Sequence, residues 1–162
     1  MFKIFKKNKN VDLYAPVSGE LIALESVSDQ VFSSKMMGEG VAFEITEDFI
    51  YAPCDGTISL LPETLHAFGL TAKNDAEILI HIGLDSVNLN GEGFTKLVSQ
   101  GDQVKKGTAI IQVDRQLLQE KNIVTTTPMV ITNSDAYQNF KQVEQNSSVK
   151  SGETIVMECV KK

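Results

Sequence analysis

No apolar run in this 162-residue chain approaches the roughly 20 residues that a membrane-spanning helix needs. Cysteine is scarce: Cys54 and Cys159 stand alone, without metal-ligand spacing and without a preceding secretory stretch. That excludes a disulfide framework and a cysteine-based zinc motif. The two thiols read as reduced core residues of a cytoplasmic protein, although Cys54, in the loop-like Pro53-Cys54-Asp55-Gly56, also fits a nucleophile. Positive charge is scarce too. The net charge is −6, and residues 1–10 hold Lys3, Lys6, Lys7 and Lys9 with no acid, so the remaining chain stands at −10. Such a body is a poor ligand for nucleic acid and a good one for a basic protein partner.

The length fits one domain, and an apolar content of 42% is ordinary for a globular core. Residues 11–162 read as that single domain. Residues 1–10 alternate bulky apolar groups with lysines, and two readings stand: a short helix on an anionic membrane surface, giving weak peripheral contact at its inner face, or a solvated tail.

The strongest organisational signal is internal repetition. Tyr14-Ala15-Pro16-Val17-Ser18-Gly19 returns as Tyr51-Ala52-Pro53-Cys54-Asp55-Gly56, each an extended Ala-Pro entry followed by a glycine turn and a strand. Val104-Lys105-Lys106-Gly107-Thr108 returns as Val149-Lys150-Ser151-Gly152-Glu153, with Gly107 and Gly152 placed for a tight turn. Strands are predicted over 41–45, 57–61, 65–72, 77–82, 108–113, 129–132 and 154–160. Short helical pieces are predicted over 28–36, near 85–87, over 93–98 and over 115–121. The sum is an all-β fold, an antiparallel sandwich or barrel assembled from similar hairpin units.

Against this background His66 and His81 occupy matching places around one turn. If Lys73-Asn74 is a two-residue hairpin loop, the two lie directly opposite, with Cβ atoms about 5 Å apart. A turn centred on Asn74-Asp75 leaves them a diagonal pair on one face, and a three-residue turn without a bulge puts them on opposite faces. Ile78-Leu79-Ile80 should hold the end of the second strand in the core, and the turn after Gly83 could return Asp85 to the ring. A facing pair fits core histidines with satisfied hydrogen bonds, a metal site lacking its remaining ligands, or a phosphoryl-carrying imidazole with a supporting neighbour. Spacing leaves all three open.

The run from His81-Ile82-Gly83-Leu84-Asp85 through Gly91-Glu92-Gly93-Phe94 resembles the phosphorylation-site signature of the glucose-type enzyme IIA domains of the bacterial phosphoenolpyruvate-dependent sugar phosphotransferase system. The likeness continues through Ala15-Pro16, Asp29-Gln30-Val31-Phe32, Lys35-Met36-Met37-Gly38, Thr64-Leu65-His66-Ala67, Gly101-Asp102-Gln103-Val104 and Thr127-Pro128, covering nearly all of 12–160. It implies a duplicated hybrid-type β-sandwich acting as a phosphotransferase component. His81 would take a phosphoryl group from phospho-HPr and pass it to the IIB domain of a sugar permease. His66, oriented by Thr64, would support the phosphorylated state. Asp29 and Asp85 would flank the site, and Val31, Phe32, Met36 and Met37 would form an apolar collar for partners. No cofactor is implied beyond the covalently carried phosphoryl group, and no metal is required, though His66 and His81 could serve as zinc ligands at a partner interface. Members of the family can also bind regulatory protein targets.

The chain departs from the family pattern at Leu79 and Pro62, where some members carry an aromatic residue, at Ser86 in place of threonine, and at Leu65, commonly polar. With no attached IIB or IIC segment it is expected to be a free-standing carrier. Two other classes share part of the pattern. His81-x-x-x-Asp85 is similar to half of the zinc site of lysostaphin-type endopeptidases, but the His-x-His pair those enzymes need is missing. The Val-Lys-x-Gly turns resemble lipoyl and biotinyl domains, whose modified lysine sits differently in its hairpin.

Overall fold

The structure, a computed structural model, describes residues 10–162. The basic stretch therefore lies outside the described residues, except Asn10, which opens the first strand. In chain order the strands are β1 (Asn10–Tyr14), β2 (Gly19–Ala23), β3 (Glu39–Ile45), β4 (Phe49–Tyr51), β5 (Gly56–Leu60), β6 (Ala67–Ala72) and β7 (Glu77–His81). They continue as β8 (Phe94–Lys96), β9 (Gln103–Val104), β10 (Ala109–Val113), β11 (Thr127–Ile131), β12 (Tyr137–Lys141), β13 (Ser147–Val149) and β14 (Ile155–Lys161). Two short helices, α1 (Gln30–Ser33) and α2 (Arg115–Glu120), complete the set with a few 3-10 turns.

An eight-stranded sheet runs β13-β2-β3-β11-β7-β6-β5-β9, and two three-stranded sheets run β1-β14-β12 and β4-β10-β8. Every pairing is antiparallel. Alternation along the large sheet turns Leu21, Phe43, Phe68, Ile78, Ile80 and Met129 inward, where they meet Ile50, Ile110, Ile111, Val156 and Met157 of the small sheets in the main core. The opposite face of the same sheet carries Ala42, Leu79 and Val130, and it is covered by Leu24, Val27, Phe32, Met37 and Leu84 in a second, smaller cluster. Strand β7 is thus apolar on both faces, as its sequence suggested, and His81 belongs by alternation to the outer one.

The repeats form an exchanged pair. Tyr14 N–H donates to the Pro53 carbonyl (2.8 Å) while Tyr51 N–H donates to the Pro16 carbonyl (2.7 Å). Gly152 N–H donates to Ala15 and Gly107 N–H to Ala52, at 3.0 and 2.9 Å, and the Ala15 and Ala52 N–H groups bond Thr154 and Thr108. Each copy satisfies the backbone groups of the other, which accounts for a repeat that appears only twice.

Three expectations need correction. Residues 93–98 are not helical: positive φ at Gly91 and Gly93 breaks any helix, and Phe94 enters β8 opposite Val113. The helix expected over 28–36 shrinks to Gln30–Ser33 because Lys35 adopts a left-handed φ of 66°. The hairpin register also differs. A three-residue loop, Lys73-Asn74-Asp75 with Asp75 left-handed, pairs Ala72 with Ala76 and sets Ala67, not His66, opposite His81.

Gly40 marks how tightly the neighbouring strands β3 and β11 approach, since a Cβ there would drive into the Met129 carbonyl. Gly40→Ala should lower folding stability by at least about 2 kcal/mol, read as a lower urea midpoint; an unchanged midpoint would show that β3 and β11 can separate.

Candidate functional site

The site forms where β7 leaves the sheet. His81 is half-buried on the outer face, and its Nδ1 lies 2.7 Å from the carbonyl oxygen of Gly83. A carbonyl only accepts, so Nδ1 carries the proton and Nε2 keeps its lone pair. The turn that aims this carbonyl needs Gly83 at φ 78°, because a side chain there would press on the Val124 carbonyl. Ser86 is buried and its hydroxyl donates to the Ile82 carbonyl at 2.6 Å, which tightens the same turn. A hydroxyl suffices for that bond, which explains why serine serves in place of threonine.

His66 reaches His81 although strand alternation alone would point it into the core beside Ile82. It precedes β6 rather than lying in it, and Leu65 before it has φ 55°, so the chain bends and the ring swings outward. The two rings meet edge to face, centroids 5.0 Å apart and planes 76° apart. Ala67, directly across from His81, offers only a methyl group and leaves room for the second ring. Thr64 Oγ1 lies 2.6 Å from His66 Nδ1.

Burial pushes the His81 pKa below the ordinary histidine value, outweighing the Gly83 hydrogen bond and the carboxylates of Asp29 and Asp85, which pull it up. Burial, with a smaller push from His81, also holds His66 low. Both rings are therefore neutral at pH 7, the state in which an imidazole is a nucleophile. Asp29 does double duty: its carboxylate accepts the Val31 N–H at 2.9 Å and so caps α1 while still acting on His81. Asp85 is exposed, left-handed at φ 59°, and starts the 3-10 turn of Ser86–Leu89.

The apolar collar is reshaped. Phe32 is not an exposed contact: it is 4% accessible and packs its ring on His81, centroids 5.1 Å apart. Met37 is half-buried in the outer cluster, whereas Val31 and Met36 are exposed, Met36 to 77%. Two further exposed apolar residues, Val87 and Val124, were not singled out by sequence. Val87 follows Asp85 in the 3-10 turn, and the Val124 carbonyl accepts the Leu84 N–H at 2.9 Å. Only the fold reveals Val124, since no motif surrounds it.

Cys54 and Cys159 are buried free thiols, with burial pushing Cys54 up to about 12 and Cys159 to about 11. Neither is activated as a nucleophile. Among the described residues no cluster of three or more His, Cys, Asp or Glu side chains is arranged to hold a metal ion, and no helix is long and apolar enough to cross a membrane.

A family model described as the phosphoenolpyruvate-dependent sugar phosphotransferase system, EIIA 1, matches residues 11–137. The chain is 42% identical over 161 residues to the PTS system glucose-specific EIIA component of Oceanobacillus iheyensis, covering 99% of this chain and 97% of that one. It is 43% identical over 162 residues to the Bacillus cereus protein of the same name, covering 100% and 98%. In structure it superposes on the glucose permease IIA of Mycoplasma capricolum with a TM-score of 0.83 at 34% identity, over 93% of this chain and 96% of that one.

Lowered histidine values make stability depend on pH with a definite sign. Stability is full above the unfolded-chain value of about 6.5 and falls as pH drops from there through the folded-state values, because the unfolded chain binds protons first. Urea unfolding from pH 8 to 5 should show this loss, and the His66→Gln, His81→Gln double variant should lose that portion of it. An identical pH profile in the variant would contradict neutral burial of the pair.

Proposed function

This chain belongs to the EIIA type-1 family of the phosphoenolpyruvate-dependent sugar phosphotransferase system and is a phosphoryl carrier of sugar uptake; on that premise we propose that Nε2 of His81 is the atom that carries the group. The observation that supports this is the bond from His81 Nδ1 to the Gly83 carbonyl, which leaves Nε2 as the free nucleophile. The Nε2 lone pair attacks the phosphorus of phospho-HPr, a P–N bond forms as the donor's P–N bond breaks, and no proton moves at His81. A thiolate of the permease IIB domain then takes the group, forming a P–S bond and returning His81 to its neutral form.

The remaining roles in this reading follow from position. If the Thr64 hydroxyl donates to His66 Nδ1, the Nε2–H of His66 is left as a donor for a phosphate oxygen on its neighbour. Asp29 and Asp85 attract arginines of the basic donor beforehand and repel the dianionic phosphate afterwards. Phe32 packs against the ring, and the exposed Val31, Met36, Val87 and Val124, on the segments that lead to and from the site, would meet a partner and exclude water from the transfer. The group is held covalently, so the reading needs no separate cofactor. The work is cytoplasmic, where donor and acceptor domains meet, and Lys3, Lys6, Lys7 and Lys9 hold the carrier weakly to an anionic membrane surface.

With phosphoenolpyruvate, enzyme I and HPr, the protein should gain one acid-labile phosphate. His81→Gln should gain none, and a retained label in that variant would overturn the assignment. His66→Gln should accept the group but fail to pass it on, and Thr64→Val should slow passage about tenfold, the worth of one well-placed hydrogen bond. For the tail, flotation with anionic liposomes should fall when residues 1–10 are removed; equal flotation would rule the membrane contact out.

A further inference from the structure

We infer that Lys35 is a positioning residue: it clamps the base of the excursion between β2 and β3 and thereby holds Phe32 against His81. The inference rests on the reading of His81 as the phosphoryl carrier. Residues 24–38 leave the sheet after β2, pass through α1 and return at β3, and they supply Leu24, Val27, Phe32 and Met37 to the outer cluster. The excursion also carries Asp29 and Val31, so most of one wall of the site rides on it.

Lys35 joins the two stems of this excursion. Its Nζ lies 3.2 Å from Glu25 on the outgoing stem and 3.2 Å from Glu39, the first residue of β3, on the returning one. Lys141 of β12 adds a longer contact to Glu39 at 3.7 Å, tying the clamp to a neighbouring sheet. The backbone is arranged for this: Lys35 sits just past α1 with φ 66°, its N–H donates to the Phe32 carbonyl at 2.9 Å, and its own carbonyl accepts the Gly38 N–H at 3.1 Å. A left-handed conformation is unfavourable for a residue with a side chain. Glycine would adopt it without cost, but glycine could not bridge the two carboxylates.

An isolated exposed pair contributes little, but one ammonium shared by two carboxylates from opposite stems acts on loop geometry rather than on global stability. Lys35 makes the close contact to Glu25, and Lys141 attracts the same carboxylate from farther away. When the clamp opens, Phe32 is free to leave the His81 ring, and the wall that excludes water loosens.

Phosphoryl transfer from this protein to a IIB domain, measured with Lys35→Met, Lys35→Arg and the wild type, tests the idea. Lys35→Met should lower transfer about fivefold, mostly in turnover rather than in the acceptor's KM, and Lys35→Arg should restore it because guanidinium can also bridge both acids. In parallel, the ring-current displacement of the His81 carbon-bound protons caused by Phe32 should shrink in Lys35→Met and recover in Lys35→Arg. Transfer and proton shifts unchanged from wild type in Lys35→Met overturn the clamp, as does a drop in transfer with the His81 shifts intact. A wild-type protein that takes up no phosphate would instead overturn the carrier reading itself.

Discussion

The hydrogen bond from His81 Nδ1 to the Gly83 carbonyl leaves Nε2 as the ring nitrogen with a free lone pair, and much of the surrounding structure serves to hold its two ends in place. On one side, β7 delivers the ring from between β11 and β6, packed on both faces. On the other, the carbonyl is aimed by a turn that requires Gly83, is anchored by the Leu84 N–H to Val124, and is closed by the buried Ser86 hydroxyl. A rigid acceptor fixes the tautomer before any partner arrives. As the proposed nucleophile, Nε2 therefore needs no general base, unlike a serine hydroxyl or a protonated thiol.

Burial supplies the second half of the chemistry. Phe32 and the outer cluster remove water from His81, and the resulting loss of basicity outweighs the pull of Asp29 and Asp85. Asp29 and Asp85 still favour the protonated ring but do not prevail, and the proposed reading gives them their main work on partners and on the phosphate. In the proposed reading, a neutral, half-buried ring flanked by Asp29 and Asp85 takes a phosphoryl group from a basic donor, and the same carboxylates favour its departure. That balance is what a carrier requires, since its product must be the substrate of the next transfer.

Much of this arrangement was legible in the chain. The paired Ala-Pro and Val-Lys-x-Gly motifs announced a β-structure of repeated hairpin units because proline and glycine state their backbone requirements openly, whereas the exchange of hydrogen bonds between the copies needed the fold. The family signature picked out His66, Thr64, Asp29 and Asp85 together with His81, and the structure brings them to one place. What stayed hidden traces to left-handed residues that are not glycine. Leu65 swings His66 onto the outer face, Asp75 sets a three-residue loop and hence the register, and Lys35 cuts α1 short. Alternation rules assume an extended chain and cannot foresee such bends. Phe32 was misplaced for a different reason: a collar motif does not say which members turn inward. Short strands such as β9, β12 and β13 carry too little apolar pattern to be seen without their partners.

The central claim is that phosphate resides on Nε2 of His81 while Nδ1 keeps its proton on the Gly83 carbonyl. Nitrogen-15 NMR of the phosphorylated, labelled protein tests it directly. The account predicts a one-bond phosphorus–nitrogen coupling at His81 Nε2 and a protonated Nδ1; a coupling at Nδ1, or on His66, would contradict it.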